Sequence, residues 1–157
     1  MASAKPFRPA EVKIQKLSFS DLKPYGKGKR SFININGREM LVVQTPEMDI
    51  PFDTGSFYES GPNGGKWSIK VSFRGMENDK KLADFHDMLH NMDEYIMAAA
   101  KENSSKWFKK KTMSDEMIQS LYQRQLKVSI DKDSGEPDGK YPPSFTFKIT
   151  KYDGKTN

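Results

Sequence analysis

Apolar and polar residues alternate most cleanly from Lys66 to Arg74, in KWSIKVSFR. Trp67, Ile69, Val71 and Phe73 fall on one face, and Lys66, Ser68, Lys70, Ser72 and Arg74 on the other. That pattern predicts a strand with an apolar face on a core and a row of cations and hydroxyls behind it. Val12 to Phe19, VKIQKLSF, alternates with one phase slip and predicts a strand containing a bulge. Arg30 to Asn36 and Arg38 to Thr45 flank Asn36-Gly37, the strongest short hairpin signal. A two-residue turn there pairs Ile35 with Arg38, Ile33 with Met40 and Phe32 with Leu41. Two late strands are expected, at LKVSI (126–130) and SFTFKITK (144–151).

Helical spacing replaces alternation after Asn78, which is placed to cap a helix running to about Lys101. Leu82, Phe85, Leu89, Met92 and Ile96 form its apolar stripe, and Asp84, Asp87 and Glu94 an acidic opposite face. Asn103 is the expected stop, and Ser114, Asp115 and Glu116 open a second short helix ending near Tyr122. Turn formers dominate 45–65 and 134–143, while LKPYGKGKR (22–30) reads as a loop rich in Gly and Lys. The element order is three strands, a long helix, then two strands. The fold expected is mainly β with one long helix: a five-stranded OB-fold-like Greek-key barrel, its helix between strands 3 and 4. It occupies 12–151, with flexible ends at 1–11 and 152–157.

Composition narrows the classes of function. With 157 residues, one domain and a sizeable core are expected. There is no cysteine, which excludes disulfides, thiol catalysis and thiolate metal sites and fits a reducing compartment. No apolar stretch approaches the ~20 residues of a membrane span, and Met1 to Pro9 lacks a signal peptide's apolar core. A soluble intracellular protein without membrane contact is expected.

The net charge of +5 is modest, but it is banded. Residues 1–40 carry +6, 41–63 carry −4, 64–75 carry +3, 76–102 carry −4 and 103–112 carry +4. Basic bands that converge in a fold can track a phosphate backbone, and a single band is as readily plain solvated surface. The bands supply Lys27, Lys29 and Arg30 from the Gly-rich loop, then Lys66, Lys70 and Arg74, then Lys106, Lys109, Lys110 and Lys111. Trp107 and Phe108 stand inside that last run. Two adjacent rings cannot both bury in one direction, so one is expected at the surface. Trp107 either stacks on bases or plugs the end of the barrel. Tyr25, Phe57 and Tyr58 lie on Gly-rich loops with little core to join, and lean toward base stacking.

Catalytic patterns are weak by comparison. His86-Asp87-Met88-Leu89-His90 approaches the H-E-x-x-H metal motif, but Asp replaces the general-base Glu. No third histidine exists, so a further ligand falls to a carboxylate such as Asp93. Boundary positions of an amphipathic helix explain the pair better. No nucleophile elbow and no phosphate-cradling loop is present. No enzyme activity and no cofactor are expected. A second class of function remains, a protein–protein adaptor or virion module docking through Asp84, Asp87 and Glu94.

Two long runs carry a family resemblance: Asn103 to Lys111, NSSKWFKKK, and Gly135 to Pro143, GEPDGKYPP. Together they resemble a single-stranded-DNA-binding family of nucleocytoplasmic large DNA viruses, itself similar to the OB-fold single-stranded-DNA-binding proteins of tailed phages. The resemblance spans roughly residues 12–150. It implies non-sequence-specific coating of single-stranded DNA in viral replication, recombination and repair. The setting it implies is an infected host cell, in a cytoplasmic viral factory or the nucleus. RNA, viral replication proteins and a second copy of the chain are the other partners considered. The positions it carries over are Lys106, Trp107, Phe108, Lys109, Lys110, Lys111, Lys140 and Tyr141. Phage-type members end in an acidic tail that recruits partners, whereas Lys151 to Asn157 is net basic, so that role is not carried over.

Overall fold

The computed structural model describes residues 5–52, 56–58, 66–149, 151–152 and 155–156, with the backbone alone at 56–58, 151–152 and 155–156. Contacts divide the chain into two units: Met1–Pro46 with Asp87–Arg124, and Glu47–His86 with Gln125–Asn157.

Five short strands open the first unit: β1 (Leu17–Phe19), β2 (Lys23–Tyr25), β3 (Gly28–Arg30), β4 (Ile33–Ile35) and β5 (Glu39–Met40). They form two separate antiparallel sheets, one ordered β1-β4-β5 and the other the β2–β3 hairpin. Leu17 pairs with Ile35, and burial of both side chains anchors the larger sheet.

The expected strand over Val12–Phe19 is shorter than its pattern. Pro9–Glu11 and Ile14–Lys16 are 3₁₀ turns, and only Leu17–Phe19 joins a sheet. The phase slip is taken up by a tight turn, closed by Lys16 N–H donating to the Lys13 carbonyl at 2.9 Å. Phe7, in the segment expected as a flexible arm, bridges Val43 in parallel and exchanges hydrogen bonds with Val42 and Gln44. The Asn36-Gly37 hairpin forms one residue out of the expected register. Ile35 pairs with Glu39 and Asn34 with Met40, so Arg38 joins Asn36 and Gly37 in a three-residue loop. Asn36 and Gly37 both have positive φ, and the Asn36 amide reaches the Glu39 carboxylate at 3.2 Å, closing the loop beyond Arg38. Residues 22–30, expected as a loop, are instead the β2–β3 hairpin, turned at Gly26 and Lys27.

Three helices follow: α1 (Lys80–Glu102), α2 (Ser104–Phe108) and α3 (Asp115–Leu121). Asp79, one residue beyond the expected Asn78, caps α1 by accepting from the Lys81 and Leu82 N–H groups. Ser114 caps α3 as expected, accepting from Met117 N–H at 3.2 Å. In the first unit, Met97 and Ala100 of α1 pack with Met113 and Ile118, and Trp107 and Tyr122 lie against them. The Tyr95 hydroxyl donates to the Leu17 carbonyl at 2.8 Å and ties α1 to β1.

The second unit holds β6 (Ser56–Tyr58), β7 (Lys66–Ser72), β8 (Ser144–Ile149), β9 (Lys151–Tyr152) and β10 (Lys155–Thr156). β6-β7-β8 is one antiparallel sheet and β9–β10 a separate hairpin. β7 and β8 pair along six positions, from Trp67↔Ile149 to Ser72↔Ser144. Just past β7, Phe73 is 1% exposed and packs on Phe85, His86 and, through Phe85, Phe145.

The five-stranded barrel is not present. Among the described residues the strands fall into four sheets of two or three strands, and none closes on itself. Closure requires a continuous ladder with staggered register around the ring. Most strands here are two or three residues long, and β7 takes β8 as partner while the Asn36-Gly37 hairpin pairs with β1. The expected strand at 126–130 contributes only isolated bridges, Lys127↔Ser144 and Ile130↔Pro137. Among the described residues no helix is long and apolar enough to cross a membrane.

Candidate nucleic-acid interface

In the first unit, β3 and α2 bring Lys29 and the Trp107-Phe108 pair to one groove. Phe19, Leu22, Ile33 and Ile96 complete its apolar floor, and its volume is about 500 Å³. Trp107 sits edge-on to Phe19, ring centroids 5.0 Å apart, and lies against the helical core. Phe108 is 45% exposed and meets Trp107 edge-on at 6.4 Å. The adjacent rings divide as expected: Trp107 is the supporting ring and Phe108 the available one.

Further cations stand on or next to α2 and in the β2–β3 hairpin. Lys109 takes a left-handed conformation that ends α2, its N–H donating to the Ser105 carbonyl at 3.1 Å, and Lys109, Lys110 and Lys111 are all exposed. Lys106 lies 3.5 Å from the Asp21 carboxylate, an exposed pair that holds the charge only loosely. Lys27 is exposed in the hairpin turn. Arg30 stacks its guanidinium over Tyr25 at 4.9 Å and over Phe32 at 5.1 Å.

The second unit gathers the other sequence-predicted residues. Lys66 and Lys70 are exposed on one face of β7, and the register sets Ser68 beside Lys148 and Lys70 beside Thr146 of β8. Lys148 therefore belongs to this cation row. The alternation in 144–151 marked its face, and the β7–β8 pairing is what joined it to Lys70. Arg74 and Tyr141 line one groove of about 420 Å³ with Phe73, Val128 and Pro143. Tyr141 is 64% exposed and Lys140 holds its ammonium 5.5 Å from that ring's centre. Tyr58 pairs through its backbone with Lys66, and its side chain lies outside the described residues, as does Phe57's.

Two loop carboxylates shape the segment before Tyr141. Asp131 accepts from the Asp133 and Ser134 N–H groups and the Ser134 hydroxyl, and these bonds, Ser134's foremost, hold it below the usual carboxylate range. Asp138 is lowered likewise, first by the Ser129 hydroxyl and then by Lys140 N–H. On α1 of the first unit, the Lys101 ammonium is raised by its bond to Asp115 at 2.8 Å.

Two residues of the weaker histidine motif have packing or hydrogen-bond partners, and His90 is exposed. His86 packs edge-on against Phe73 at 5.5 Å, and buried Asp93 accepts the Tyr122 hydroxyl at 2.7 Å. Among the described residues no three His, Cys, Asp or Glu side chains cluster so as to hold a metal. Of the acidic helix face, Asp84 is bonded by Lys80 at 2.9 Å and Glu94 by Arg124 at 2.7 Å. That pairing lowers the face's net charge. Comparison with known families, curated proteins and solved structures yields no match for this chain.

Proposed function

We propose that this protein binds single-stranded DNA without sequence preference, its bases entering the groove of the first unit. The observation that carries this reading is that Lys29 and the Trp107-Phe108 pair, far apart in sequence, line one apolar groove. A single strand offers what this groove can use: an unstacked base with a free face for Phe108, and phosphates for Lys29 and Lys109 to Lys111. Duplex DNA keeps its base faces stacked, so the rings discriminate between the two while the lysines do not. Six of the groove's lining side chains are apolar or aromatic, and stacking accepts the face of any base, which favours tolerance of sequence. The resemblance of the 103–111 and 135–143 runs extends the reading to replication, recombination and repair of a large DNA virus in the infected cell. Replication proteins of the virus are proposed partners only through a surface other than an acidic tail, and no catalytic step is assigned.

The test is a parallel salt titration of oligo-dT, duplex DNA and RNA followed by fluorescence anisotropy. Oligo-dT affinity is expected to fall steeply with salt and to exceed duplex affinity throughout. Equal affinity for duplex and single strand, or salt-independent binding, overturns the reading.

A further inference from the structure

We propose that Tyr25, at the end of β2, and Phe32, two residues past β3, form a separate base-stacking station whose present occupant is the guanidinium of Arg30. This rests on the reading of the first unit as a single-strand binder and extends it beyond the groove. Residue by residue, the hairpin has two faces. Pairing of Lys23 with Arg30 and of Tyr25 with Gly28 puts Tyr25 and Arg30 on the same side, as diagonal neighbours. Lys29 alternates to the other side and lines the groove.

Three observations point to a ligand for the Tyr25 side. Tyr25 is 64% exposed and Phe32 51%, and every residue of β2 and β3 is exposed, so the rings serve no local core. Arg30 lies 4.9 Å from one ring centre and 5.1 Å from the other, so both rings address the same space. Residues 22–37 contain Lys23, Lys27, Lys29 and Arg30 and no carboxylate, so the arginine is held by rings and not by an acid of its own segment.

A guanidinium and a nucleobase are both flat and both stack on aromatic faces. A base arriving at Tyr25 or Phe32 takes the position of the Arg30 head. The released arginine then gains the phosphate of the same nucleotide, a stronger, bidentate partner for it than a ring. The exchange keeps the rings covered in the free protein and gives Arg30 a phosphate partner in the complex.

The experiment compares oligo-dT with an abasic phosphodiester of equal length, on the full chain and on a Tyr25→Leu/Phe32→Leu double variant that keeps every cation. The double variant is expected to bind oligo-dT about tenfold more weakly. Its affinity for the abasic oligomer and its salt slope are expected to be unchanged. Equal loss on both oligomers, or no loss on either, overturns the proposal. An unmutated chain that binds neither oligomer overturns the parent reading instead, which separates the two failures. Photocrosslinking of the unmutated chain to an iodouracil-substituted oligomer supplies a readout free of any folding effect. Adducts on Tyr25 or Phe32 support the station, and adducts confined to Trp107 and Phe108 overturn it.

Discussion

Trp107 and Phe108 are neighbours in sequence with opposite duties, and a pair of substitutions separates them. Phe108 is half exposed at the groove, so Phe108→Ala removes a stacking surface and little packing. Single-strand affinity is expected to fall about tenfold while the denaturant midpoint stays in place. Trp107 packs on Phe19 and against Met97, Met113 and Ile118, so Trp107→Ala is expected to cost about 3 kcal/mol in urea unfolding. If Phe108→Ala instead lowers the midpoint as far as Trp107→Ala does, the division of labour is wrong. Adjacency alone showed that only one ring could be buried. Which one packs inward, Trp107 half-buried, depended on Phe19, Met97 and Met113, none of them within the same run, and no local pattern carries that information.

Elements were legible where a single face decided them. β8 alternates because one side carries Phe145, which meets Phe85, and β7 pairs with it along six positions. β7 departs from its pattern only near its end, where it stops at Ser72 and buries that serine. The segment at 126–130 alternates as well as β8 does, yet makes no strand. Periodicity reports side chains, whereas a strand needs a partner for its backbone, and here Lys127 meets Ser144 while the Ser129 carbonyl is taken by Asp138 N–H. The helix cap moved from Asn78 to Asp79 because both residue types cap well and only backbone geometry chooses. The loop at 131–139 carries a pH prediction. Asp131 and Asp138 are both lowered in the folded chain by hydrogen bonds to their carboxylates. A depressed carboxyl stabilises fully above its unfolded value, and that contribution is lost as pH falls through its folded value. Asp131→Asn/Asp138→Asn keeps the acceptors and removes the titration. Its melting temperature is expected to lie below the wild type at about pH 7 and to converge with it toward about pH 3. A gap that persists unchanged into acid refutes the assignment.

At the scale of the molecule, the long helix falls between strands as expected, but the strands before and after it differ from the expected three and two in number and place. The barrel expectation placed five strands in one closed ladder, whereas the described strands fall into four separate sheets of two or three. Charge bands fared better than topology, since a band needs only an exposed segment to be displayed. Lys109 to Lys111 and the Lys66, Lys70 and Lys148 row are both displayed, but in different units and in different company. The first sits beside an exposed ring at an apolar groove, and the second has Ser68 and Thr146 among its lysines on the β7–β8 face, with Tyr58 of β6 paired to Lys66. Phosphates are common to single strands and duplexes, so the cations by themselves should not tell the two apart. Lys66→Ala/Lys70→Ala/Lys148→Ala is therefore expected to weaken both forms of DNA by the same factor. Lys109→Ala/Lys110→Ala/Lys111→Ala removes three charges next to Phe108, the ring proposed to stack on bases. At about 0.7 counterions released per phosphate on a single strand, it should flatten the oligo-dT salt slope by about 2. Because Phe108 remains, the preference for oligo-dT over duplex should survive at low salt. Loss of that preference with the slope unaltered would mean that the lysines position the ring and do not meet phosphate.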